Sequence, residues 1–263
     1  MSATHPTRRR GKKPAVGEPV VDRALRLLAA FDPSHRNLTL SALARRADIP
    51  LSSTRRLAER LVEWGALERD RSGRYVIGLR MYEVASLSPR AFGLRDLAMP
   101  YIEDLHAVTR EHVQLAVLEG SHVVLVERRS RARAVEVEYR IGGQLPILST
   151  ALGLTLLAYL PDDEVQRVLE GCEHPDDIEI AKRPAVVNKT LAEVRKKGIS
   201  VVTRNEPAPI IAVAAPIRGT DHQVAAALSI VVPAGTPPDS YSHVVLAAAR
   251  GIARALRSGP PHP

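Results

Sequence analysis

Apolar positions recur at helical spacing through the first third of the chain. Ala24, Leu27, Leu28 and Phe31 fall at i, i+3, i+4 and i+7, and Asp32-Pro33-Ser34 ends that run. Leu40, Leu43, Ala44 and Ala47 repeat the stripe over a shorter helix, for which Thr39 is the expected N-cap. After the turn Asp48-Ile49-Pro50 a third helix is expected from Leu51 to Trp64. Leu57, Leu61 and Trp64 should face inward, and Gly65 should close it. Two strand-like pieces then flank Asp70 to Gly73, a good hairpin turn. Three helices and a hairpin predict a winged helix-turn-helix over residues 20–78.

Beyond it, residues 79–90 read as a linker helix ending near Ser88-Pro89. Leu94, Leu97, Ala98, Tyr101, Leu105 and Val108 form a longer helical stripe, with Pro100 near its start or at a bend. The period then switches. Val113 to Leu118, Val123 to Arg128 and Ala134 to Tyr139 are β-type runs, and Ser149–Leu160, Asp162–Leu169 and Ala185–Lys197 are helical. Strands return at Ile199–Thr203, Ile211–Ile217 and Val224–Val232, before a last helix over Tyr241–Leu256. This order predicts an α+β domain on a largely antiparallel sheet, spanning residues 91–258.

Charge sharpens the picture. The first 80 residues hold 17 Lys/Arg against 8 Asp/Glu, a net of +9, whereas the remainder holds 20 against 21. A basic first third on a neutral body says where a polyanion would bind. Residues 1–19, basic and rich in Pro and Gly, read as a disordered tail whose Arg8, Arg9, Arg10, Lys12 and Lys13 add sequence-independent attraction. No stretch reaches the roughly 20 apolar residues of a membrane helix. Cys172 is the one cysteine and cannot form an internal disulfide, so a cytoplasmic protein is expected.

In a helix-turn-helix the second helix enters the major groove. Here it begins Leu51-Ser52-Ser53-Thr54-Arg55-Arg56. Small hydroxyl residues permit close approach, and arginine offers a bidentate fork to guanine. The expected contacts are Ser52, Ser53, Arg55, Arg56 and Arg60, with Arg69, Arg71 and Arg74 on the hairpin meeting backbone or minor groove. One short recognition helix reads few bases, so a symmetric homo-oligomer on palindromic double-stranded operator DNA is expected. A winged helix used for protein or RNA contacts, or an enzyme with a basic appendage, are the rival readings.

Three stretches resemble the IclR family of bacterial transcription regulators: Val21-Asp22-Arg23-Ala24-Leu25, Leu40-Ser41-Ala42-Leu43-Ala44-Arg45-Arg46, and Leu145 to Gly153. Ala212-Val213-Ala214-Ala215-Pro216-Ile217 followed by Ala226-Ala227-Leu228-Ser229-Ile230 adds to the likeness. The resemblance implies a GAF-like effector domain, a homodimer or tetramer, and repression or activation of a catabolic operon by a small-molecule effector, repression being the expected sign. Carried over by position, it implies an effector site at Leu148, Ser149, Thr150, Ala151 and Leu152, and at Ala212, Ser229 and Val231. Leu148 stands where many members carry His, Leu154 where they carry Lys, and Ala212 where Cys is frequent. The acidic run usual before the Ala212–Ile217 strand is here Arg204-Asn205-Glu206. A pocket so depleted of polar groups predicts a hydrophobic or aromatic metabolite, with any carboxylate held by Arg204, Asn205, Ser149 or Thr150.

No catalytic residue, cofactor or metal is expected. The chain carries no G-x-S-x-G, Walker loop or G-x-G-x-x-G. Cys172-Glu173-His174 with Asp176 and Asp177 lacks the ligand spacing of a zinc site and reads as a polar loop. His106 and His112 read as structural.

Overall fold

The computed structural model describes residues 18–130, 139–205 and 208–258. The basic tail up to Gly17 and the β-type run from Ala134 to Glu138 lie outside the described residues. The chain divides into two compact units, meeting in sequence at Leu87 and Ser88.

The first unit is built from α1 (Val20–Ala29), α2 (Leu40–Ala47), α3 (Leu51–Trp64), the strands β1 (Leu67–Arg69) and β2 (Tyr75–Ile77), and α4 (Leu79–Ala85). Thr39 caps α2, its hydroxyl accepting from Ala42 N at 3.2 Å. Asp48 turns the chain left-handed at φ 52°, and the three residues Asp48 to Pro50 separate α2 from α3. Leu27, Leu43, Leu57 and Leu67 form the core, with Tyr75 closing it from the hairpin. Leu38 joins that hairpin, exchanging both backbone hydrogen bonds with Tyr75 at 2.9 and 2.8 Å.

One expectation for α3 is corrected. Trp64 is 45% exposed rather than inward. The buried face instead includes Thr54 in the first turn of the helix, fully buried, whose hydroxyl donates to Ile49 O at 3.3 Å. The helix outruns the small core it packs on, and the overhanging indole is covered by the Arg80 guanidinium, 4.8 Å from the ring centre.

The second unit opens with one wide helical turn, Pro89–Gly93, running into α5 (Leu94–Thr109), with Pro100 inside the helix. Then follow β3 (His112–Glu119), β4 (His122–Arg129), β5 (Gln144–Leu145), α6 (Ala151–Leu157), α7 (Asp162–Glu170), α8 (Pro175–Ala181) and α9 (Pro184–Lys197). Last come β6 (Ser200–Arg204), β7 (Ile210–Arg218), β8 (Val224–Pro233) and α10 (Asp239–Ser258). The strands form one six-stranded sheet in the order β5-β4-β3-β8-β7-β6, every pairing antiparallel.

Alternation along the strands gives the sheet two buried faces. Leu115, Val117, Leu228 and Ile230 pack against α5 and α10 on one side. Ala116, Val123, Ala214 and Ala227 pack against α6, α7 and α9 on the other. The stretch read as a polar loop contains a helix, α8. Pro175 occupies its first turn, and His174 caps it, Nδ1 accepting from Asp176 N at 3.3 Å. His106 and His112 are structural: Nδ1 of His106 bonds to Glu111 O at 2.7 Å, and that of His112 to the Ser130 hydroxyl at 2.8 Å.

Candidate nucleic-acid interface and effector cavity

On α3 the residues left over after core packing form the second face. Ser52, Arg55, Arg56 and Glu59 recur at helical spacing and are all exposed, while Ser53 is half-buried. Among the described residues, no side chain pairs with the guanidinium of Arg55 or Arg56. Arg60 differs, since it bonds Glu63 at 2.7 Å one turn later.

The hairpin tip is held by Asp70. One carboxylate oxygen accepts from Ser72 N at 2.9 Å, Ser72 Oγ at 2.7 Å and Arg74 N at 2.9 Å. Those bonds, the Ser72 hydroxyl first, favour the ionised acid and lower its pKa. Gly73 supplies the φ of +75° that the turn requires. Arg71 and Arg74 therefore project from a fixed loop and are exposed. Arg69 is held instead against its cross-strand partner, bonding Tyr75 Oη at 2.8 Å with its guanidinium 4.9 Å from the ring centre.

In the second unit, the loop before α6, the start of α6 and the strands β3, β8, β7 and β6 enclose a cavity of about 40 Å³. Of the residues expected there, Thr150, Ala151, Leu152, Arg204, Ala212, Ser229 and Val231 line it. Leu148, Ser149 and Asn205 do not: Leu148 turns into the core, and Asn205 lies exposed past the end of β6. Five lining residues escaped the sequence reading, namely Gln114, Tyr139, Leu145, Val202 and Ile210. A glutamine inside the apolar run of β3 was the available signal.

Among the described residues, Arg204 is the one charged side chain in the lining. It donates to Tyr139 Oη at 2.6 Å and to Asp176 at 3.3 Å, its guanidinium 5.7 Å from the Tyr139 ring centre. Thr150 is committed to the backbone: its hydroxyl donates to Pro146 O at 2.5 Å and accepts from Gly153 N at 3.1 Å. It serves as the N-cap of α6, with no proton left to hold a carboxylate.

Two buried contacts fix the loop and helix that form this wall. Asp177, fully buried in α8, accepts from Ile147 N at 2.6 Å and Leu148 N at 3.0 Å through one carboxylate oxygen. Across the helix, Thr155 bonds Ser200 at 2.7 Å, and Ser200 donates to Ala151 O at 2.6 Å, tying α6 to β6. The loop lies so close that a Cβ at Gly153 would sit 2.3 Å from Ile147 O. Gly153→Ala should therefore destabilise this unit by about 2 kcal/mol, read as a lower urea midpoint at constant slope.

Two larger clefts lie elsewhere on the unit. One of about 520 Å³ is lined by Pro89, Leu94, Leu118 and Leu256 among others, and one of about 250 Å³ adjoins Cys172 and Asp177. Neither is lined by Ser149 to Leu152. Burial raises the Cys172 thiol pKa, which disfavours a reactive thiolate. Among the described residues, no group of three or more His, Cys, Asp or Glu is placed to hold a metal ion. None of the described helices is long and apolar enough to cross a membrane.

Residues 20–71 match the IclR helix-turn-helix domain, and residues 89–258 match the C-terminal domain of the bacterial transcriptional regulator IclR. The chain is 26% identical over 260 residues to the transcriptional repressor IclR of Escherichia coli (strain K12), covering 93% of this chain and 94% of that protein. It is 30% identical over 198 residues to the HTH-type transcriptional regulator KipR of Bacillus subtilis (strain 168), covering 74% and 78%. An IclR homolog from Microbacterium hydrocarbonoxydans, solved in complex with 4-hydroxybenzoate, superposes with a TM-score of 0.84. That pair shares 32% identity over 92% of this chain and 100% of the other.

Proposed function

Because the chain belongs to the IclR family of bacterial DNA-binding transcription regulators, and is not an enzyme, we propose that it represses a catabolic operon and is released by a small aromatic carboxylate. It works in the cytoplasm as a homodimer or tetramer, presenting paired α3 helices to a palindromic operator. The carrying observation is the cavity, whose described lining is mainly apolar and, among the described residues, holds one charged side chain, Arg204. Apolar walls favour carbon surface at about 25 cal/mol per Å², and the cation selects an anion. The complex of the Microbacterium relative with 4-hydroxybenzoate supports the same ligand class.

At about 40 Å³ the cavity is small for an aromatic ring, so its walls must open on binding. Ligand then selects the opened arrangement, and only a difference in affinity between two arrangements can be passed to the DNA-binding units. The test is fluorescence anisotropy on duplexes selected by the protein from a random pool. Affinity should fall steeply with salt, the logarithmic slope following the number of phosphates neutralised. Saturating 4-hydroxybenzoate should weaken binding about tenfold or more, a coupling within the usual allosteric range. A salt-insensitive curve would remove the DNA reading. Release by short polar acids alone would remove the aromatic one.

A further inference from the structure

We infer that Gln114 is a specificity-determining residue, and that its side-chain amide reads a hydrogen-bond acceptor at the end of the effector remote from Arg204. This inference rests on the reading of the cavity as an aromatic-carboxylate site. Gln114 lies on β3 directly opposite Ser229 on β8, and it is only 3% exposed. The Ser229 hydroxyl donates to its Oε1 at 3.4 Å, which turns Nε2 the other way. Nε2 is buried and, among the described residues, has no hydrogen-bond partner. Of the described side-chain atoms left so, it alone belongs to the lining of this cavity.

A buried amide N–H without an acceptor is costly, and here the cost is positioned beside the space a ligand would enter. Two other polar groups in the described wall make hydrogen bonds within the protein. Thr150 caps α6, and Tyr139 Oη receives Arg204. Nε2 is a donor only, so its missing partner is an oxygen acceptor.

Position gives the second half of the inference. Gln114, Ser229, Ala214 and Ser200 share one row across four strands, and Arg204 lies four residues further along β6. Three strand spacings of about 4.8 Å and four residues of rise at about 3.4 Å put the two Cα atoms on the order of 20 Å apart. Once the reach of both side chains is subtracted, the gap suits one ring bearing oxygen at opposite ends. Arg204 has five donors and can meet an anion while keeping Tyr139 and Asp176. The effector is then a benzoate-like acid with a second oxygen para to its carboxylate. Benzoate itself, or an isomer with its oxygen beside the carboxylate, would leave Nε2 unmatched.

The test is isothermal titration of the full chain with benzoate and with 2-, 3- and 4-hydroxybenzoate. Wild type should bind 4-hydroxybenzoate about tenfold more tightly than benzoate, the worth of one ordinary net hydrogen bond. In Gln114→Leu that ratio should fall to within about twofold. Ser229→Ala, which frees the amide to rotate, should give a ratio between the two. If the leucine variant melts early, Gln114→Met keeps the length and carries the same expectation. Equal binding of benzoate and 4-hydroxybenzoate by wild type would overturn the inference, as would a preference surviving both Gln114 variants, while the aromatic-carboxylate reading stood. Failure of all four acids to bind wild type would overturn that reading and this inference together.

Discussion

Alanine at both Arg55 and Arg56 is expected to weaken binding to selected duplex DNA by on the order of a hundredfold or more. Both are exposed on α3, on the side away from Leu57 and Ala58. Neither guanidinium is engaged by the described residues, so folding does not depend on them and the melting temperature should hold. A bidentate arginine–guanine pair is worth about 1–3 kcal/mol of discrimination, and in the proposed symmetric oligomer each substitution counts twice. The single variants separate the roles. An arginine that reads a base should lose sequence preference when replaced, whereas one that meets phosphate should lower the salt slope by about one and weaken all sequences alike. Arg60 and Arg69 should matter less, because Glu63 and Tyr75 already hold them. A loss below about threefold in the double variant would take α3 out of the interface.

What the sequence revealed of this molecule follows from the range of the interactions involved. The first unit was legible because its stripes, the Thr39 cap and the Asp48–Pro50 turn are local, each decided within a few residues. Trp64 was misread for the complementary reason. Spacing assigns a helix face but not where the neighbouring core ends, and the ring's cover, Arg80, lies sixteen positions on. Thr54 lies off the apolar stripe in type, and its burial depends on the bond its hydroxyl makes to a nearby carbonyl. In the second unit the resemblance located the α6 wall and the β7 and β8 strands of the cavity. Gln114 was absorbed into an apolar strand, since a period of two shows which residues share a face but not which face holds a cavity. Asp177 carried no local signal at all. Its partners lie 30 and 29 residues earlier, across a helix too short to announce itself.

Asp177→Ala is expected to destabilise the second unit by roughly 3 kcal/mol, lowering its melting temperature by about 10 °C. The carboxylate is fully buried, and one oxygen satisfies the backbone N–H groups of both Ile147 and Leu148. Alanine leaves two donors without an acceptor inside the core, each at a cost of about 1–3 kcal/mol. Part of that loss is offset, because the other oxygen, Oδ1, is buried with no partner among the described residues and the wild type carries the cost of desolvating it. The same asymmetry makes Asp177→Asn informative. Its amide oxygen can take both N–H bonds while the charge is removed, so it should melt within about 3 °C of wild type. The effect should reach the ligand too, since the clamped loop leads directly into Thr150, Ala151 and Leu152 of the cavity wall. With the clamp gone, more conformers compete with the binding-competent one, and affinity for 4-hydroxybenzoate should drop in the alanine variant by more than in the asparagine one. Calorimetry of both variants decides it: an alanine variant that melts within about 2 °C of wild type would mean that water serves the two N–H groups equally well, and that α8 does not hold the wall.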